Sequence, residues 1–284
     1  MIPAPFEYHS PTSLKEALDL LTSKEDVKLL AGGQSLVPLM KLRLAKPKHI
    51  VDLGGIPGLE SIREEGDGIS IGALATHAEV ESSDLLRKRC PLLPQTAATI
   101  ADVQVRNRGT LGGSLAHADP AGDLPATILA LDAQMKTVGP KGERWIKAED
   151  FFFGLLMTAL EPDEILTEVK VPVLEHAKTA YLKAAQRASG FAVVGVAACL
   201  KLDARGTCEE IAVGVTGVAD KAYRAAEVER RLKGKRLDAK LIEVAAYEVC
   251  RSIDVVEDIN GSKEYRTHLA RVYTGRAIEA ALSA

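Results

Sequence analysis

Two glycine pairs of matching design punctuate the first half of the chain. One lies in LLAGGQSL, residues 29–36, and the other in GTLGGS, residues 109–114. In both, a serine follows the glycines within two residues. Glycine accepts a positive φ and carries no Cβ, so the chain can turn tightly there or let another group approach its backbone. Successive amides of such a turn can also converge on one concavity and hold an anion. Ser35, Thr110 and Ser114 would add side-chain donors. Hydrogen bonds to a charged group are worth about 1.5–3 kcal/mol each, so several could anchor a diphosphate without a lysine. Either pair alone reads as a tight turn. Two of the same chemistry leave both readings open, a pair of turns or a cradle.

Several alternatives are excluded by spacing. Neither stretch is G-x-G-x-x-G, and no G-x-x-x-x-G-K-[ST] occurs, so neither a Rossmann fold nor a P-loop is supported. H-E-x-x-H and G-x-S-x-G are also absent. The four cysteines, Cys90, Cys199, Cys208 and Cys250, contain no C-x-x-C spacing. That removes zinc knuckles and iron–sulfur motifs, and points to free thiols in a reducing, cytoplasmic compartment. The net charge is -3 and the basic residues are scattered, so nucleic acid is not expected as a partner. No apolar run reaches the ~20 residues of a membrane helix. The start, MIPAPFEYHSP, has no basic segment leading into an apolar stretch, so no signal peptide is expected. The six histidines lie far apart and read as surface or capping residues, with no metal site expected. His117, inside the second glycine stretch, is the one to watch. Asp119 shapes a turn before Pro120, and Asp123 caps a helix beginning at Leu124. A carboxylate beside a diphosphate would repel it, so Asp123 would face a neutral sugar hydroxyl.

The hydrophobic pattern predicts a chain of mixed architecture. Ser13 and Glu16 form a capping box before a helix with Leu14, Ala17, Leu18 and Leu21 on one face. VKLLAGG reads as a short buried strand, followed by strands in HIVDLG and GISIGALA. Thr76 and Glu79 form a second capping box. PLLPQTAATIAD and DLPATILALDAQ read as helices, and QMKTVGPKGERWI as a hairpin turning at residues 139–142. EILTEVKVPV is a strand. After a polar link come TAYLKAAQR and two long apolar strands, FAVVGVAACLKLD and CEEIAVGVTGVA, joined at residues 204–206 as antiparallel neighbours. Helices follow in AAEVERRLKG, AKLIEVAAYEVCRSI and YRTHLARVYTGRAIEAAL. A boundary near residue 176 divides the chain into residues 1–176 and 177–284.

LAGGQSLVPLMKLRLAKPKHIVDLG, taken with RNRGTLGGSLAHADPAGDLPA, closely resembles the FAD-binding medium subunits of molybdenum hydroxylases, the xanthine dehydrogenase and carbon monoxide dehydrogenase flavoprotein family. The resemblance continues to the tail SKEYRTHLARVYTGRAI and covers essentially the whole chain. It implies an α+β fold. A vanillyl-alcohol-oxidase-type (PCMH) FAD domain of two α/β lobes would precede a C-terminal domain, a small antiparallel sheet packed with helices. It also implies FAD contacts. Leu29, Leu30, Ala31, Gly32, Gly33, Gln34, Ser35 and Leu36 match the family's first loop, on the diphosphate and ribityl chain. Thr110, Leu111, Gly112, Gly113 and Ser114 match the second, on the diphosphate from the other side. Ile100 matches an apolar contact to the flavin, and Asp123 a carboxylate at the adenosine end. Leu166 and Lys183 match two further contacts. Phe191 lies where the carbon monoxide dehydrogenase branch carries a tyrosine against the isoalloxazine ring. Gly190 stands where an aspartate is usual.

The absence of cluster cysteines then bears on function. The resemblance implies a subunit that takes electrons from a small iron–sulfur subunit and passes them from FAD to an external acceptor. Substrate would be oxidised in a large molybdopterin subunit, the whole forming a dimer of heterotrimers. No residue of this chain need be a catalytic acid or base. The alternative is a free-standing FAD-dependent oxidase with the same fold, for which His117 is the weak candidate base. A non-catalytic assembly module is a third reading, against which the intact glycines and hydroxyls argue.

Overall fold

The computed structural model describes all 284 residues. Its first lobe is a parallel sheet of three strands, β1 (Glu7–His9), β2 (Val27–Leu30) and β3 (His49–Asp52), with β3 in the centre. The helix Leu14–Ser23 crosses this sheet and buries Ala17 against Val51. Ser13 caps it by accepting from the Glu16 amide at 3.2 Å. The Glu16 carboxylate accepts from the Thr12 amide rather than from that of Ser13, so the box closes one residue early. β2 is only half-buried, contrary to expectation, because its outer edge borders a cavity. The lobe's core has 6 buried residues, and one of them, Ile165, comes from the second lobe. The two lobes therefore share a hydrophobic surface.

The second lobe is an antiparallel sheet in the order β4–β5–β10–β6–β7. These strands are β4 (Ile62–Glu65), β5 (Gly68–Gly72), β6 (Gln134–Gly139), β7 (Gly142–Lys147) and β10 (Ile165–Pro172). The short hairpin β8 (Phe152–Gly154) and β9 (Met157–Thr158) precedes β10. Between β5 and β6 the chain runs through short helices that cover one face of the sheet. The first, His77–Ser82, starts at the expected box: Thr76 accepts from the Glu79 amide while the Glu79 carboxylate accepts from that of Thr76. Leu92, Leu93, Leu115, Leu124 and Ile128 then pack on Ile69, Ile71 and Met135 in the largest core of the molecule. The hairpin β6–β7 turns where glycine was expected, with Gly142 at φ 110°.

The third sheet is antiparallel, β11 (Lys178–Ala185), β12 (Ala192–Leu202), β13 (Cys208–Thr216) and β14 (Tyr223–Arg224). Its central strand β12 is buried at almost every position, which a sheet with one wet face would not allow. Both faces are covered. The long helix Lys263–Ser283 lies over β11 and β12. The second lobe's helix Asp123–Ala130 lies on the other face, so closely that a Cβ at Gly214 would sit 1.9 Å from the Ala126 carbonyl oxygen. Arg266, on the long helix and 3 % exposed, ties the strand ends together by donating to the carbonyls of Val193 and Gly217. One expected helix is shorter than its apolar pattern: it runs Ala239–Ala246 and then breaks into turns, with Ser252 at φ 61°. No helix is long and apolar enough to cross a membrane.

Candidate functional site

A cavity of about 690 Å³ opens where the two lobes meet the turn between β11 and β12. That is the size range of cofactor clefts, ~300–1,000 Å³. Its first wall is the segment after β2, which runs into the helix Leu36–Lys41. Gly33 turns the chain there with φ +74°. Gly32 has a different task. A Cβ on it would lie 2.0 Å from the Arg108 carbonyl oxygen and 2.7 Å from the Gly109 Cα. The two glycine stretches thus touch, backbone to backbone. The amides of Ala31, Gly32, Gly33, Gln34, Ser35 and Leu36 donate to no carbonyl and no side chain of the protein. Only Gln34 among these residues is exposed; the others are half-buried. All six residues line the cavity, so an unbroken run of donors without protein partners borders it.

The second glycine stretch is built otherwise. Thr110 caps a helix, Leu111–His117, by accepting from the Gly113 amide at 3.1 Å. The Leu111 amide donates to Ala75, that of Gly112 to Ala73, and that of Ser114 to Thr110. Every amide from Leu111 to Ser114 is therefore already engaged. The expected nest of free donors is absent on this side, because the residues have become the first turn of a helix docked on the end of β5. Gly112 is needed for that docking: its Cβ would meet the Ala73 Cβ at 2.5 Å. What this segment offers the cavity is the Ser114 hydroxyl, which bonds to no protein group, and a surface without bulk.

Contrary to the expectation that it caps the helix, Asp123 is the first helical residue, and Gly122 holds the cap position. Its carboxylate, 6 % exposed, accepts from the Tyr181 hydroxyl at 2.5 Å and from the Lys183 ammonium at 2.9 Å. Lys183 also donates to the Gly190 carbonyl at 2.7 Å. The Tyr181 hydroxyl fits because Gly195 lies beside it on β12, where a Cβ would be 2.3 Å away. Burial raises the Asp123 carboxyl, against the opposing pull of Lys183 and Tyr181. Burial and the neighbouring carboxylate push the Tyr181 phenol well up. Asp119 shapes its turn as expected, accepting from the Ala121 amide at 2.8 Å.

Gly190 has φ +75°, and its Cβ would press on the Ala101 Cα at 3.2 Å, so the turn it occupies favours glycine. That turn places Phe191, 43 % exposed, on the cavity wall, which Ile100 and Leu166 also line. Glu164 also reaches the cavity, but a two-pronged contact with Arg144, at 2.6 and 2.7 Å, holds its carboxyl below the usual range. Lys28 is the one lysine or arginine on the cavity wall.

Of the residues expected here, Leu30, Leu111 and Lys183 are not on the wall. Leu111 is in the second-lobe core, and Lys183 stands behind Asp123. The others all line the one cavity. Sequence reasoning missed His77. It is 5 % exposed, its Nδ1 is buried without a partner, and burial, helped by the Arg106 charge, lowers it to about 4. A neutral imidazole therefore borders the cavity. Nothing local in the sequence signals this; Gly109 folds back onto the ring through a bridge between Thr76 and Thr110.

Residues 4–174 match the family described as the FAD binding domain in molybdopterin dehydrogenase. The chain belongs to that family. Residues 179–281 match the CO dehydrogenase flavoprotein C-terminal domain. The chain is 40 % identical over 283 residues to the carbon monoxide dehydrogenase medium chain of Hydrogenophaga pseudoflava, covering 99 % of this chain and 98 % of the relative. It is 40 % identical to the nicotine 6-hydroxylase medium subunit of Paenarthrobacter nicotinovorans, covering 95 % of each. The solved carbon monoxide dehydrogenase of Hydrogenophaga pseudoflava contains a chain that superposes with a TM-score of 0.96 at 42 % identity, over 100 % of this chain and 99 % of that one. A chain of quinoline 2-oxidoreductase from Pseudomonas putida 86 gives a TM-score of 0.94 at 34 % identity, again over 100 % and 99 %. The α+β architecture implied by the resemblance, a two-lobed flavin domain followed by a small antiparallel sheet with helices, is the architecture of this family. Its members are oxidoreductase subunits of molybdenum-dependent dehydrogenases.

Proposed function

We propose that the chain holds one FAD in the cavity between its lobes and serves as the electron-transfer subunit of a molybdenum-dependent dehydrogenase. It would receive electrons from a small iron–sulfur subunit and pass them to an external acceptor, while a large molybdopterin subunit oxidises the substrate. The observation that carries this reading is the run of unengaged amides from Ala31 to Leu36. A diphosphate offers the acceptors those donors lack, and a wall with a single lysine offers no other anchor. Bound FAD would supply one- and two-electron redox chemistry.

The remaining tasks fall to side chains. The Ser114 hydroxyl would approach the diphosphate from the second stretch. Asp123, oriented by Tyr181 and Lys183, would accept from neutral sugar hydroxyls at the adenosine end. Ile100, Leu166 and Phe191 would give the ring system apolar surfaces. On this reading no residue of the chain needs to take a proton from a substrate. Glu164 and Asp123 are locked in ion pairs, and no side chain hydrogen-bonds and orients His117, as a working base requires.

We also place the division between the flavin domain and the C-terminal domain at residue 176, supported by family matches that end at 174 and resume at 179. The names of the relatives, medium chains and subunits, support a heterotrimer, which we propose pairs as a dimer. Four free thiols support a cytoplasmic location. The test is to assay the isolated, flavin-loaded chain. It should be reduced by a reduced iron–sulfur partner and should not turn over alcohols or amines. Direct turnover of such a substrate would overturn the electron-transfer reading in favour of a free-standing oxidase.

A further inference from the structure

A second site lies outside the cavity, on the first-lobe sheet. Parallel pairing of β1 with β3 sets Glu7 opposite His49 and His9 opposite Val51. Side chains alternate along a strand, so Glu7, His9 and His49 project from one face. It is the face on which Val51 packs under the helix Leu14–Ser23, and the three polar residues occupy it where the β1 edge begins. The His9 Nε2 and the His49 Nδ1 are 3.2 Å apart. The Glu7 Oε2 is 3.3 Å from the His49 nitrogen and 3.8 Å from that of His9. The two imidazoles are 21 % and 14 % exposed, so packing holds the rings, while Glu7, at 67 %, is free to swing. No lysine or arginine pairs with Glu7.

We propose that Glu7, His9 and His49 bind a divalent transition-metal ion, zinc foremost. The three donor atoms form a triangle whose corners can all be ~2.0–2.1 Å from one point lying slightly out of their plane, the normal Zn–N and Zn–O bond lengths. With bonds of ~2.05 Å, such an ion would see angles of roughly 103° between the imidazoles, 107° between Glu7 and His49 and 136° between Glu7 and His9, and a swing of the exposed Glu7 toward His9 would bring the set to a tetrahedron with a fourth position for water. Two imidazoles and one carboxylate suit zinc and its first-row neighbours. Magnesium and calcium, which take oxygen ligands, are poorly served. The ion would tie β1 to β3. None of the three residues borders the cavity, so this inference does not depend on the flavin reading. The histidines were expected to act separately because forty residues divide them; strand pairing is what unites them.

The test uses the full chain after chelator treatment. Equilibrium dialysis against zinc should give a site whose occupancy is lost in His9→Ala and His49→Ala. Each substitution should weaken binding more than ~100-fold, since even replacing a residue that only hydrogen-bonds to a ligand costs 10–100-fold. Glu7→Gln should weaken it less than either. Cobalt(II) in place of zinc should give visible absorption of tetrahedral intensity without a thiolate charge-transfer band, which separates this site from the cysteines. Saturating zinc should raise the melting temperature of the wild type and leave His49→Ala unmoved. Wild-type chain that binds no zinc, or variants that bind it as tightly as wild type, would overturn the proposal.

Discussion

Replacing Gly32 by alanine tests why that glycine is there. The added Cβ would start 2.0 Å from the Arg108 carbonyl oxygen, a separation that carbon and oxygen never hold without a bond. Relief requires the two glycine stretches to part by at least ~1 Å, at an overpacking cost of about 1–3 kcal/mol. The same displacement carries the Ala31–Leu36 amides away from the cavity. Stretching a hydrogen bond of ~2.9 Å by that much abolishes it. Losing two bonds to a charged diphosphate, each worth about 1.5–3 kcal/mol, weakens FAD binding by ~3–6 kcal/mol, or roughly 10²–10⁴-fold in Kd. Titration of the flavin-free protein, followed by quenching of flavin fluorescence, measures this, with circular dichroism to show that Gly32→Ala is folded. Gly58→Ala is the control: its φ is +87° and nothing lies within 4 Å of the added carbon, so it should cost stability only and leave FAD affinity unchanged. If Gly32→Ala bound FAD within threefold of wild type, the loops would not be positioning the donors as described.

The polar cluster behind the cavity gives two further outcomes. Lys183→Met should destabilise the protein by about 3–5 kcal/mol in denaturant melts, because it leaves the buried Asp123 charge without its ion pair. Tyr181→Phe should cost less, about 1.5–3 kcal/mol, since it removes one hydrogen bond to the same carboxylate. His77 predicts a pH dependence. The folded protein holds this ring neutral down to about 4, while the unfolded chain takes up its proton near the ordinary value of 6.5. Stability is therefore unaffected above pH ~6.5 and falls as pH drops toward 4. Between pH 7 and pH 4.5 the ring's share of that loss is about 2.5 kcal/mol. His77→Gln should shrink the measured loss by that amount, and an unchanged loss would show that the ring is not held neutral.

Much of the fold was legible because its signals are local. Capping residues at Ser13 and Thr76, the glycine hairpin between β6 and β7, and the paired apolar strands β12 and β13 each announce themselves within a dozen residues. The site was legible as a set of segments but not as a division of labour. Gly112 and Gly33 look alike in sequence; only the approach of Ala73 to one and the positive φ of the other separate close packing from turning. The engagement of the Leu111–Ser114 amides depends on carbonyls of Ala73 and Ala75, some forty residues upstream. Asp123 reads as a cap until β11 delivers Tyr181 and Lys183 to it. The burial of His77 and the meeting of His9 with His49 are likewise products of tertiary pairing, and no local pattern could foretell them.

The central claim, that the cavity holds FAD through the free amides of the first glycine stretch, is tested most directly by the visible spectrum and flavin content of the purified chain. A yellow protein carrying, or readily taking up, one FAD per chain is the predicted result, with the flavin lost in Gly32→Ala while the protein stays folded. A colourless wild-type protein that neither retains nor takes up FAD would contradict the account.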